Sequence, residues 1–243
     1  PHSFEPTPSD VAKINESDIF IYTGKFMESW AHDITKGLNE KVKVVEASDG
    51  IKMMKVDNDH DHNDQQGVDP HIWLDFNNAE IIVLNIEKAL SGIDPENAEY
   101  YAENAQKYIQ ELRKLDGLYN ETLDICETKT IVYGGHYAFG YMAERYGLEY
   151  KSAQGFSPDS EPSAKDLAEM INQIKNEDIR YIFYEELTSP KIAETLSKES
   201  NARMLELNAA HNIKKEDYQN GTTYISIMKG NLENLKTGLN CKQ

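Results

Sequence analysis

The sequence predicts an α/β protein of two lobes, with mostly parallel sheets flanked by helices and one long rigid helix joining the lobes. Three observations predict this fold class. Strand-like and helix-like segments alternate before residue 93 and again after residue 126, which is typical of parallel βα units. A long amphipathic helical pattern lies between the two series. Four histidines recur at nearly even intervals, each shortly before a predicted helix.

The first half begins with a predicted short helix from Asp10, which Ser9 can cap. Strands are predicted at 18–22 and 42–46, with a helix at 26–38 between them. Segment 47–69 has neither helical nor strand periodicity. Its acidic part, 57–64, predicts an exposed and mobile loop.

The long helix is predicted from a cap followed by a proline. A first helix should run from Asp75 to about Gly92. Asp94 then caps a longer helix that Pro95 opens, and its apolar residues recur in steps of four and three. If this helix reaches Asp124, it is about 45 Å long at 1.5 Å per residue, which is long enough to join two lobes.

The second half repeats the alternation of strands and helices. Strands are predicted near 130–133, 149–153, 181–184 and 203–207, and helices near 138–146, 164–176, 190–200 and 216–239. The sequence therefore divides into an amino-terminal lobe at 1–93, a linking helix at 94–125 and a carboxyl-terminal lobe at 126–243.

Composition excludes several function classes. The chain has 243 residues and a formal net charge of −17. Such an acidic surface repels nucleic acids and anionic lipid, and it suits a protein whose ligand is a cation. No segment approaches the roughly 18 consecutive apolar residues of a membrane span.

Two cysteines, Cys126 and Cys241, leave two interpretations open. They are wrongly spaced for a cysteine zinc site, and they are either two buried thiols or one disulfide. Both should belong to the carboxyl-terminal lobe. A bond between them would contribute up to about 4–5 kcal/mol in the chain-entropy model.

The four evenly spaced histidines predict a metal site. They are His2, His71, His136 and His211. Each is predicted to lie at the edge of a sheet where strands lead into helices, which is where ligands bind in open α/β sheets. Four imidazoles suit Zn²⁺ first, with Cu²⁺, Ni²⁺ or Co²⁺ as alternatives, and suit Mn²⁺ less. Four protein ligands leave no position for an activated water, so we expect binding and not catalysis.

Three motifs carry a resemblance to a known family. Pro1-His2-Ser3-Phe4-Glu5-Pro6-Thr7-Pro8-Ser9-Asp10, Asp69-Pro70-His71-Ile72-Trp73-Leu74-Asp75 and Gly135-His136-Tyr137-Ala138-Phe139-Gly140-Tyr141 closely resemble signatures of the zinc/manganese-type solute-binding proteins of ABC importers. The resemblance covers nearly the whole chain. It implies a metal held in the cleft between two lobes and delivered to a membrane permease. It also implies a monomer outside the cytoplasm, either periplasmic or lipid-anchored, with its signal peptide and anchor outside this sequence.

The resemblance also assigns ligands by position. His2 and His71 match ligands common to the family, and histidine at the third position, here His136, is typical of zinc-type members. The fourth position is commonly a carboxylate, whereas this chain has His211 there. Family members normally carry a further strand and helix before the first motif, so we expect either that those residues are left out of this sequence or that the amino-terminal lobe lacks them.

The remaining polar residues have less specific interpretations. The acidic loop with His60 and His62 lies where zinc-type members often carry an insertion, so it is either an accessory site of metal capture or a solvated loop. Glu185 and Glu186 follow a strand and could approach the cleft, but we expect them to cap or to face solvent. Two other functions stay open: a zinc hydrolase with three histidines and an open site, and a metal-stabilised surface adhesin.

Overall fold

Parallel strand pairing dominates the fold. The computed structural model describes residues 4–56, 67–155, 161–186 and 189–242. In this part of the chain, helices alternate with a parallel strand pair and a four-stranded parallel sheet, and the single antiparallel pair is short. The predicted α/β class and the predicted long helix are therefore confirmed.

The chain divides into two units, Pro1–Lys114 and Leu115–Gln243. The first unit contains, in chain order, α1 (Pro8–Glu16), β1 (Ile19–Tyr22), α2 (Ser29–Thr35), β2 (Lys43–Glu46), β3 (Lys55–Val56), β4 (Gly67–Val68) and α3 (Phe76–Ile93). Two short 3₁₀ turns, Ile72–Leu74 and Pro95–Asn97, precede α3 and α4. Helix α4 (Ala98–Asp124) contains the boundary between the units.

The start of α1 differs from the prediction. The helix begins at Pro8, and its cap is Thr7 where Ser9 was expected. The Thr7 hydroxyl accepts the N–H of Asp10, and the Asp10 carboxylate accepts the N–H of Thr7. A proline in the first helical position completes this capping box, because its missing N–H is not needed there.

The second unit contains a doubly covered parallel sheet. Its elements are β5 (Thr130–Tyr133), α5 (Gly140–Tyr146), β6 (Glu149–Ser152), α6 (Ala164–Asn176), β7 (Tyr181–Tyr184), α7 (Lys191–Ser200), β8 (Arg203–Glu206), α8 (Lys215–Gln219) and α9 (Tyr224–Gly238). The last predicted helix, 216–239, is therefore two helices. Gly221 adopts a φ of +83°, which ends α8, and Thr223 caps α9.

Apolar residues cover both faces of the four-stranded sheet. On one face, Val132 and Ile182 belong to a buried cluster with residues of α6 and α7. On the other face, Phe183 packs so closely on α9 that a Cβ at Gly238 would overlap its ring. Burial on both faces explains why the two central strands, β5 and β7, are almost continuously apolar, whereas the edge strands β6 and β8 also carry charged residues.

The strand order β6-β5-β7-β8 determines where loops meet. All four strands are parallel, but β6 is added on one side of β5, whereas β7 and β8 are added on the other side. A ligand site is expected at the carboxyl ends of the strands where the order of addition changes side. The disulfide Cys126–Cys241 lies at the other edge, before β5 and after α9, so the second of the two interpretations of the cysteines is the one that the structure has. Within the described residues, no helix has the length and apolar character needed to cross a membrane.

Removing the disulfide should destabilise the protein without a change of fold. We expect the Cys126→Ser/Cys241→Ser double variant to lose about 2–5 kcal/mol of unfolding free energy, because the bond closes a loop of 115 residues. Denaturant unfolding under oxidising conditions measures the difference. Reductant should shift the midpoint of the original protein and not that of the variant; an unshifted midpoint in the original protein contradicts the prediction.

The carboxylate of Asp116 joins α4 to α5 within the second unit. It accepts hydrogen bonds from Arg145 Nε and Nη2 at 2.7 and 2.6 Å and from the Tyr146 hydroxyl at 2.6 Å. Burial raises the pKa of Asp116, but these hydrogen bonds and the Arg145 charge outweigh burial and hold the pKa below its usual value. The stabilisation is therefore present above the unfolded-state pKa of about 3.9 and is lost as the pH falls through the folded-state value.

We expect Asp116→Asn to lower the unfolding free energy by about 1–2 kcal/mol at pH 7, since the group is partly exposed and solvent screens it. The difference should shrink as the pH falls below about 4. Urea unfolding at a series of pH values measures it. Asp33→Asn is the matched control, because Asp33 pairs with Lys36 on an exposed helix surface. A pH-independent difference at Asp116 would overturn the assignment.

Candidate metal centre

Three neighbouring loops of the second unit bring two histidines and two glutamates together. His136 follows β5, Glu185 and Glu186 follow β7, and His211 follows β8. Because β5, β7 and β8 are adjacent and parallel, their carboxyl ends meet at one edge of the sheet. Ligand-capable atoms of His136, Glu185 and His211 lie within 4.8 Å of one another.

The Glu185 carboxylate holds His136 by two hydrogen bonds. Its Oε2 lies 2.8 Å from His136 Nδ1 and accepts the backbone N–H of the same residue at 3.2 Å. Both side chains are almost fully buried. An ionised carboxylate can only accept, so Nδ1 carries the proton, and Nε2 is the nitrogen with the chemistry of a metal ligand.

Gly135 makes this approach possible. A Cβ at this position would lie 2.7 Å from Glu185 Oε2 and 2.9 Å from Glu185 Cβ. Real Cβ atoms do not come this close to other heavy atoms. The glycine before His136 therefore lets the carboxylate reach the histidine backbone.

His211 lies on the other side of Glu185. Its Nε2 is 3.9 Å from Glu185 Oε1, and its ring is 5.3 Å from the His136 ring, centroid to centroid. Two atoms bound to one tetrahedral zinc at 2.0–2.1 Å are separated by about 3.3 Å. A small movement would therefore allow these groups to contact one ion, and a carboxylate accompanies the imidazoles that the sequence predicted.

The loop that carries His211 is fixed by hydrogen bonds at a strained residue and at the two residues before it. Ala210 adopts a φ of +56°, which costs a residue with a side chain about 1–3 kcal/mol. The Ala210 N–H donates to Asn208 Oδ1 at 2.8 Å, and the Ala209 N–H donates to Glu186 Oε2 at 3.1 Å. Buried Asn231 of α9 donates to the Asn208 carbonyl and accepts its N–H. These contacts hold the loop in a conformation that presents His211 to the site.

The two adjacent glutamates differ in their affinity for protons. Burial raises the pKa of Glu185, but hydrogen bonds from His136 and the charges of His136 and His211 outweigh burial and leave the pKa below its usual value. Burial and the charges of Glu185 and Glu206 raise the pKa of Glu186 to about 8, although backbone N–H groups partly oppose this.

His71 of the first unit has the same arrangement with Asp69. Asp69 Oδ1 lies 2.7 Å from His71 Nδ1 and accepts the His71 backbone N–H at 2.9 Å. Both side chains are fully buried. As in the second unit, a carboxylate engages both Nδ1 and the backbone N–H of the histidine.

The structure places part of the predicted site. It brings His136 and His211 together and buries His71 in the first unit. His2, His60 and His62 lie outside the described residues, as does the predicted mobile loop 57–64. The metal-binding roles of these histidines and the mobility of this loop stay predictions.

The expectation that Glu185 and Glu186 cap or face solvent was wrong, because both are buried, at 4% and 7% exposed. The signal that could have found them is their place directly after β7. A strand between those that carry His136 and His211 must deliver its loop to the same place.

The family model described as zinc-uptake complex component A, periplasmic, matches residues 1–238 of the chain. The chain is 39% identical over 247 residues to the high-affinity zinc uptake system protein ZnuA of Bacillus subtilis, with 98% of this chain and 77% of that protein covered. It spans about half, 49%, of the zinc-binding protein AdcA of Streptococcus pyogenes.

Solved structures agree with the sequence comparison. The Zn(II)-bound ZnuA-like domain of Streptococcus pneumoniae AdcA is 37% identical, with a TM-score of 0.82 over 98% of this chain and 86% of that one. The laminin-binding protein Lmb of Streptococcus agalactiae, described as an adhesin with metal-transporting activity, is 33% identical with a TM-score of 0.82 over 98% and 86%. The chain therefore belongs to the ZnuA family of zinc-uptake components.

Proposed function

We propose that this protein is the extracytoplasmic zinc-binding component of an ABC importer and that it delivers Zn²⁺ to the membrane permease. The observation that carries the proposal is the buried group of His136, Glu185 and His211, with ligand-capable atoms within 4.8 Å of one another. Membership in the zinc-uptake family supports the same function. The metal is the cargo of the protein and not a resident cofactor.

The proposed ligands are His2, His71, His136 and His211. His71 and His136 each have Nδ1 engaged by a buried carboxylate, so Nε2 is the atom that binds. His211 Nε2 lies 3.9 Å from Oε1 of Glu185, the residue that also contacts His136. Nitrogen ligands favour Zn²⁺ over Mn²⁺, which prefers oxygen. His60 and His62 are at most accessory residues that capture metal from solution.

Binding, and not hydrolysis, is the chemistry that this site supports. A catalytic zinc keeps an open position for water. Histidine at position 211 supplies a fourth protein ligand beside His136 and therefore argues against the alternative of a three-histidine hydrolase. We propose that the protein is not an enzyme and that it acts as a monomer.

The proposed location is outside the cytoplasm, either periplasmic or lipid-anchored to the outer face of the membrane. The disulfide supports this, since such bonds persist in oxidising compartments. The alternative of a surface adhesin is supported by the likeness to Lmb alone. Binding of the purified protein to immobilised laminin would test it.

The proposed function predicts tight binding of one Zn²⁺ and weak binding of Mn²⁺. Competition titration against a chelator of known affinity measures both. His136→Ala should weaken zinc binding by more than about 100-fold, which is beyond the effect of a residue that only supports a ligand. The His60→Ala/His62→Ala double variant is the matched control, with two imidazoles removed from the acidic loop, and should bind zinc almost normally.

Two results would contradict this assignment. Manganese binding as tight as zinc binding would remove the argument from imidazole ligands. A loop variant more damaged than His136→Ala would place the site elsewhere.

A second prediction tests the glycine beside His136. We expect Gly135→Ala to weaken zinc binding by about 10–100-fold, because the added methyl must displace the carboxylate that orients His136. Gly117→Ala is the matched control. Its Cβ meets no atom within 4 Å, so it should leave zinc affinity unchanged and raise stability by about 0.5–1 kcal/mol. Equal zinc affinity in both variants would show that the Glu185 contact does not matter for binding.

A further inference from the structure

Glu186 is a buried carboxylate, and one of its two oxygens accepts a hydrogen bond. Its Oε2 accepts the Ala209 N–H at 3.1 Å and so fastens the loop before His211. Its Oε1 has no hydrogen-bond partner among the described residues and lies 3.7 Å from His211 Nδ1. The side chains of Glu186 and His211 are only 5% and 4% exposed. A buried acceptor left in this state costs about 1–3 kcal/mol, so it is expected to have a use.

The other two described candidate ligands, His71 and His136, each have a carboxylate oxygen against Nδ1, and this is the model for the role of Glu186 Oε1. Nδ1 of His71 lies 2.7 Å from Asp69, and Nδ1 of His136 lies 2.8 Å from Glu185. In both pairs the carboxylate engages Nδ1, so that Nε2 is the nitrogen proposed to bind the metal. His211 has the Glu186 carboxylate on the corresponding side, but at 3.7 Å, which is about 0.5 Å beyond the usual upper limit of about 3.2 Å for an N–H···O hydrogen bond.

We propose that Glu186 is the positioning residue of His211: its Oε1 accepts the Nδ1–H of His211 when zinc binds, so that Nε2 is held toward the ion. The inference rests on the proposed function. Metal binding at Nε2 makes the opposite N–H a stronger donor, which favours closure of the gap. The closed hydrogen bond in turn fixes the ring for the metal.

This role depends on histidine at position 211. A carboxylate ligand at that position has no N–H that Glu186 could accept. The adjacent residues Glu185 and Glu186 thus support different histidines, and the loop after β7 orients both imidazoles of the second unit.

A double-variant cycle tests the proposal. Glu186→Gln keeps the shape of the side chain and an oxygen that can accept from Ala209, but it weakens the acceptor for His211. It should lower zinc affinity by about 10–100-fold in the original protein. In the His211→Ala background the same substitution should have little further effect, because the ring through which it acts is gone.

The control is Glu199→Gln, which removes a carboxylate from an exposed position on α7 and should leave zinc affinity unchanged. An equal loss from Glu186→Gln in both backgrounds would assign Glu186 a structural role and overturn the inference, as would unchanged affinity in the Gln variant. Weak zinc binding by the original protein would overturn the proposed function, and the inference with it.

A spectroscopic measurement needs no substitution at Glu186. In the zinc-loaded protein labelled with ¹⁵N-histidine, the His211 ring should show metal at Nε2 and a proton at Nδ1 shifted downfield by a strong hydrogen bond. Loss of these signals in His211→Ala assigns them. Metal at Nδ1 of His211 would overturn the proposal even if Glu186→Gln failed to fold.

Discussion

The arrangement of the second unit depends on the buried contact between Glu185 and His136. One carboxylate oxygen is shared between the backbone and the ring of the histidine, at 3.2 and 2.8 Å. A buried charge is tolerable only when its hydrogen bonds are made, so this contact constrains its surroundings. It requires a residue without a side chain at position 135, and it requires β7 to lie directly beside β5.

The first unit obtains the same contact from local sequence alone. Asp69 and His71 are two residues apart, so one turn brings carboxylate and imidazole together. In the second unit the partners are 49 residues apart, and the pairing of β5 with β7 brings them together. The first arrangement is visible in the motif around His71, whereas the second appears only when the strand order is known.

This difference explains how much could be predicted from the sequence. The strands of the second unit, the long helix and the candidate ligands His71, His136 and His211 follow from periodicity and motifs, because those signals are local. The burial of Glu185 and Glu186 was predicted wrongly, because their place directly after a strand points to the site only when β7 is known to lie between β5 and β8. Helix ends were predicted less well. Thr7 and Ser9 are both residue types that cap helices, and the helix begins after Thr7 because Asp10 completes a capping box with it.

The disulfide has a practical consequence for any extension of the chain. Cys241 is bonded to Cys126 at the amino-terminal edge of the four-stranded sheet, beside the first residues of the strands. The histidines of the second unit lie at the carboxyl-terminal edge of the same sheet. A tag, a reporter or a second module fused after Cys241 therefore leaves the unit on the side away from the imidazoles. The covalent bond to Cys126 keeps the end of the last helix attached to the sheet when such a fusion pulls on it.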